Sequence, residues 1–148
     1  MKITKNQLRQ IIKEAMQPAM RPKMEQRLQG APQPVVDVAE AWHANAMAAG
    51  EAELKQMGRG VTSGKQAATR NFWRQRLYVE FDDGASRSGR SGGSAYWEVS
   101  DNYDRGPIMK YYPDADRWTM TYPFESSETE LEGGTQEALA NAQIMFTG

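Results

Sequence analysis

Between Leu77 and Pro123 the chain alternates apolar and polar residues in short runs broken by turn formers, and this constrains its fold more than any other feature. Leu77, Val79 and Phe81 alternate with Tyr78 and Glu80 up to the turn Asp82-Asp83-Gly84, which predicts a half-buried strand. Runs 95–100, 107–112 and 117–123 repeat the period, separated by Asp, Asn, Gly and Pro. Alternation puts Trp97, Val99, Met109, Tyr111, Trp118, Met120 and Tyr122 on one face. Tyr96, Glu98, Ile108, Lys110, Tyr112, Arg117, Thr119 and Thr121 fall on the other. Residues 85–94, ASRSGRSGGS, read as a low-complexity loop.

Helical periods flank these strands. Pro34 suits a first turn and Asp37 complements its dipole, while Val35, Val38, Ala39, Trp42, Ala46 and Ala49 share one face. Leu54 and Met57 extend that face to a terminator at Gly58; Gly50 leaves open one long helix or two shorter ones. Residues 65–76 fit a helix, or through Phe72 and Trp73 a lead-in to the first strand. Thr135 is a candidate N-cap, with Glu137 in the first turn, for a last helix running to about Phe146. Its Ala138, Leu139, Ala142, Met145 and Phe146 are placed to cover the sheet. The expectation is an α+β domain over 34–148, a small antiparallel sheet of about four strands packed with two or three helices. Residues 17–33, with three prolines and a glycine, read as a flexible tether.

Residues 1–16 (MKITKNQLRQIIKEAM) carry concordant helix signals. Thr4 suits an N-cap, Gln7 the capping-box position, and Ile3 and Leu8 the two ends of a hydrophobic staple. Leu8, Ile11, Ile12, Ala15 and Met16 form an oily stripe, while Lys5, Arg9 and Lys13 line a basic one. A short helix with these two stripes is suited to docking: Leu8, Ile11, Ile12 and Met16 for apolar contact, Lys5, Arg9 and Lys13 for steering toward an acidic partner. No run approaches the length of a transmembrane helix, and cations recur through Lys13, unlike the apolar core of a secretory signal.

Composition removes several chemistries. The 148 residues include no cysteine, which excludes disulfides, thiolate catalysis and cysteine-based metal centres. The single histidine, His43, excludes a multi-histidine site within one chain and reads as a half-exposed surface residue of an alanine-rich helix. Residues 1–76 hold 13 Lys/Arg against 6 Asp/Glu, and residues 77–148 hold 5 against 13, so a basic front half precedes an acidic back half. That asymmetry suits head-to-tail self-association or a front half that meets a polyanion.

Two short patterns approach known sites and miss. Gly58 to Gln66 (GRGVTSGKQ) has the Gly-Lys of a phosphate-binding loop, but no apolar strand precedes it and Gln66 stands where Ser or Thr would hold magnesium. Asp101 to Gly106 (DNYDRG) echoes a calcium loop, yet Tyr103 and Arg105 occupy ligand positions. Asp114-Ala115-Asp116 fits an ordinary hairpin turn. No cofactor, metal site or catalytic constellation is called for. Tyr96, Lys110, Tyr112 and Arg117, sharing one sheet face, are the raw material of a nucleic-acid platform in which rings stack on bases and cations meet phosphates.

The opening residues, Met1-Lys2-Ile3-Thr4-Lys5 with Gln7-Leu8-Arg9 and Ile11-Ile12-Lys13-Glu14, resemble a leader of marine tailed-phage proteins. Ile12-Lys13-Glu14 also resembles the Ile/Leu-x-Glu signal of prohead proteases. The resemblance implies a virion or prohead protein, capsid-targeted through its arm, cleaved after Glu14 and partnered by other virion proteins or by copies of itself. Tyr112-Pro113-Asp114 followed by Gly134-Thr135-Gln136-Glu137-Ala138-Leu139-Ala140-Asn141-Ala142 is similar, at longer spacing, to the HicB-type antitoxin pattern. That likeness implies a related α+β fold and, as a competing reading, a small nucleic-acid-binding regulator.

Overall fold

The computed structural model of the chain describes residues 4–6, 22–84, 94–103, 107–122, 125 and 127–147. Among these are α1 (Pro22–Arg27), α2 (Gln33–Met57), α3 (Ser63–Arg74), β1 (Tyr78–Asp82), β2 (Tyr96–Ser100), β3 (Ile108–Tyr112), β4 (Arg117–Thr121), β5 (Thr129–Glu130) and α4 (Gly134–Ile144). The fold is α+β: a five-stranded antiparallel meander in sequence order, with helices on one side. Strand count exceeds the expectation by one, because Thr129 and Glu130 pair with Met120 and Thr119 inside what reads locally as an acidic loop.

Register confirms the two predicted faces. Val79↔Val99, Val99↔Met109 and Met109↔Met120 run across the helix-covered side, and Glu98↔Lys110 and Lys110↔Thr119 run across the other. Val35, Val38, Ala39 and Trp42 of α2 and Ala138 and Ala142 of α4 close onto the first face, and all are inaccessible to solvent. Ala at the α4 positions lets that helix approach α2 and β4 closely.

Two local expectations change, and the alternative left open at Gly50 is decided. Residues 22–31, expected as tether, belong to the fold: Met24 is buried in the core, with Leu28 and Ala31 packed against it. Arg27 fastens α1 to the sheet edge, donating to the Val79 carbonyl oxygen at 3.2 Å and lying 4.9 Å from the Tyr78 ring centre. Helix α2 is continuous through Gly50, where a Cβ would come within 3.0 Å of Trp73 Cδ1. The glycine is there for the close crossing of α3, whose N-cap is Thr62, accepting from Lys65 N–H at 3.2 Å. Thr135 does not cap α4; Gly133 holds that position, its N–H donating to Glu137 Oε2, and Thr135 Oγ1 instead accepts from Trp118 Nε1.

Candidate interaction surface

The four residues singled out for a nucleic-acid platform do converge on the sheet face opposite α2 and α4. Tyr96 and Tyr112 lie side by side on β2 and β3, ring centres 5.7 Å apart. Lys110 Nζ stands 4.7 Å from the Tyr96 ring centre, and the Arg117 guanidinium stands 4.8 Å from that of Tyr112. Each contact follows from register: Tyr112↔Arg117 and Glu98↔Lys110 are direct partners, so rings and cations alternate between neighbouring strands.

The electrostatics of that face run against a polyanion. Lys110 Nζ donates to Glu128 Oε1 at 3.0 Å, and Tyr112 donates its hydroxyl to Glu128 at 2.9 Å. Burial pushes the Glu128 carboxyl up, but the hydrogen bonds from Lys110 and Tyr112 outweigh this and hold it below the usual carboxylate range. The Tyr112 phenol is raised by burial and by the same carboxylate. Glu80, Asp82, Glu98 and Glu130 share the face, so among the described residues Lys110, Arg117 and, beside Tyr78, Arg27 stand among five carboxylates. Such a surface favours a cationic partner.

The helix-covered face has an uncovered end. Phe81↔Trp97, Trp97↔Tyr111 and Tyr111↔Trp118 form one aromatic row across four strands. Trp118 and Tyr111 lie under the helices, Trp97 is half-buried, and Phe81 at the β1 edge is 48% exposed. The Phe81 and Trp97 rings sit 5.0 Å apart. Periodicity identified these as inward-facing positions; it carried no signal that the helical layer stops short of them.

A second aromatic cluster surrounds Arg76. Its guanidinium lies 4.8 Å from the Phe146 ring centre, 4.9 Å from Trp73, 5.5 Å from Phe72 and 5.9 Å from Tyr103. It grips the fully buried Asp101 through both oxygens, with Nε at 2.9 and 3.0 Å, while Trp42 Nε1 donates to the Arg76 carbonyl oxygen. Asp101 Oδ1 also accepts from Tyr103 N–H. The carboxylate that opens the calcium-like pattern is thus committed to an arginine. Asp116, in the other candidate turn, accepts the Tyr111 hydroxyl at 2.6 Å from a left-handed backbone with φ 46°. Burial and that bond push the Tyr111 phenol up to about 12.

Around the phosphate-loop-like pattern lies a hollow of about 400 Å³, lined by Met57, Arg59, Gly60, Val61, Thr62 and Lys65, between α2 and α3. His43 is not half-exposed: it is 7% accessible, and its Nε2 has no hydrogen-bond partner. Burial, with Arg74 nearby, lowers its pKa from 6.5. Among the described residues no three acidic or histidine side chains gather in a metal-binding group, and no helix is long and apolar enough to cross a membrane.

Of the predicted docking helix, Lys5 falls among the described residues, helical and exposed. Leu8, Arg9, Ile11, Ile12, Lys13, Glu14 and Met16, with the loop 85–93, lie outside them. Compared with known proteins, the chain matches no family model, no curated protein and no solved structure.

Proposed function

We propose that this chain is a non-enzymatic component of a tailed-phage virion or prohead, docked on a partner through its N-terminal helix while the α+β domain serves as a structural or decoration module. One structural observation carries the reading. Met24 of α1 is buried in the core, so the folded domain reaches to within a few residues of the amphipathic leader instead of being separated from it by a long tether. A docked leader would then hold the domain close to its partner, as a decoration module requires. The phage-like leader pattern and the Ile12-Lys13-Glu14 signal give the class of assembly. Mass spectrometry of proheads and mature particles is the test: the full-length chain should be present in proheads, and an N-terminus at Ala15 in mature particles would confine the leader's docking to prohead assembly. Particles that reproducibly lack it would overturn the reading.

The convergence of Tyr96, Lys110, Tyr112 and Arg117 favours a second reading, a small nucleic-acid-binding regulator. It predicts binding to oligonucleotides that weakens steeply with salt. Negligible affinity at low salt would remove it, and the five carboxylates on the same face favour that outcome.

A further inference from the structure

The geometry points to head-to-tail self-association, in which the exposed Tyr122 ring and Glu125 of one copy seat in the hollow at the α2–α3 corner of the next. The inference goes beyond the proposed function and makes no use of the N-terminal leader.

The hollow is the receiving surface. Its floor holds the half-buried Met57 and Val61, its rim the exposed Arg59 and Lys65, and no carboxylate lines it. Lys55 stands exposed just before Met57, and the whole stretch 54–79 contains six Lys or Arg and no Asp or Glu. Arg70 and Arg76 of that stretch are paired with Glu51 and Asp101, whereas Arg59 and Lys65 make no ion pair among the described residues. An apolar floor inside a cationic rim suits an apolar group flanked by carboxylates.

The chain itself carries such a group. Tyr122, just past the end of β4, is 49% exposed, and a turn brings Glu125 back to it, the Glu125 N–H donating to the Tyr122 carbonyl oxygen at 3.1 Å. From Trp118 to Gly148 there are five Glu, all exposed, and no Lys or Arg. The other exposed rings do not qualify. Phe72 and Tyr103 lie against Arg76, and the carboxylates beside Phe81 along β1, Glu80 and Asp82, project from the opposite sheet face. Neither Tyr122 nor Glu125 lines the hollow of its own chain. Trp42 donates to the Arg76 carbonyl oxygen at the start of β1, and α2 runs fifteen residues, about 22 Å, beyond it to Met57. The corner therefore projects past the sheet and meets its insert on another copy. Because the two surfaces differ, the contact repeats from copy to copy into chains or rings, where a weak single contact gains strength.

The test is complementation between two full-length variants. Wild-type protein should show concentration-dependent association in sedimentation that weakens with salt. Arg59→Glu with Lys65→Glu removes the rim of the hollow, and Tyr122→Ser with Glu125→Lys removes the insert; each variant alone should associate roughly tenfold or more weakly. All four positions are exposed, so both variants should keep the wild-type circular dichroism. An equimolar mixture should form a heterodimer, because the first variant keeps its insert and the second its hollow. With a photo-crosslinking residue at Tyr122 in an equal mixture of isotopically light and heavy chains, mixed crosslinks should reach peptides spanning 57–65. A monomer at every concentration, undiminished association of either variant, or a mixture no more associated than its parts would overturn the inference. Crosslinks confined to one chain or to other regions would do the same. Proheads and particles that lack the protein would overturn the proposed function and leave this contact standing.

Discussion

At the scale of single residues, the Arg76–Asp101 pair is the most consequential contact. Both groups are withdrawn from water, and each replaces its lost hydration with the other and with the surrounding rings. Asp101→Ala would leave the guanidinium unpaired among four aromatic rings, and we expect a loss of about 3–5 kcal/mol in denaturant unfolding. Gly50 makes a subtler case. Alanine there would gain about 1 kcal/mol of helix propensity, but its Cβ would press on a Trp73 ring held by Glu53, Phe72 and Phe146. Because the ring cannot give way, Gly50→Ala should lower stability by roughly 1 kcal/mol net, read as a reduced denaturant midpoint. His43 sets a pH dependence. Its folded-state pKa lies below the ordinary 6.5, so the unfolded chain takes up a proton first. Its contribution is complete above about pH 6.5 and declines as pH falls toward the folded value. In His43→Asn that decline should disappear, leaving the loss from Glu51 and Glu128, whose lowered pKa values place it below 4.5. Denaturant midpoints measured across this range check the assignment.

Among elements, the attachment of α4 decides how the sheet is covered. Asn45 of α2 is buried and accepts the Phe146 N–H at 2.6 Å, while its amide donates to the Gln143 carbonyl oxygen at 2.6 Å and to the Thr147 hydroxyl. One side chain thus satisfies the frayed C-terminal turn of another helix. Asn45→Ala should cost about 1–3 kcal/mol and speed hydrogen exchange selectively in residues 143–147. At the other end of α4, Thr135 accepts from Trp118 Nε1, so Thr135→Val should leave a buried indole N–H unpaired and cost about 1–2 kcal/mol.

For the molecule as a whole, charge and coverage govern what it meets. The sheet face opposite α2 and α4 combines tyrosines with an excess of carboxylates, and the covered face ends in the exposed Phe81 ring. A basic partner suits the first surface better than a polyanion does. If so, adding heparin or single-stranded DNA should produce no change in thermal midpoint at low salt. A raised midpoint with either polyanion would favour the nucleic-acid reading instead.

Local periodicity and turn chemistry determined the class of fold, the four long strands, their two faces and the span of the main helix, because each signal lies within a few residues of sequence. The gathering of Tyr96, Lys110, Tyr112 and Arg117 was legible for the same reason, since alternation sorts a strand before any partner is known. Tertiary structure decided the rest. Met24 is core and not tether because a sheet formed more than fifty residues later gives it somewhere to pack. Glu128 neutralises Lys110, Asp101 captures Arg76, and α3 crosses Gly50, each through groups about 18 to 25 residues apart. Burial of His43 and exposure of Phe81 depend on where the helices lie over the sheet, and no short window of sequence encodes that boundary.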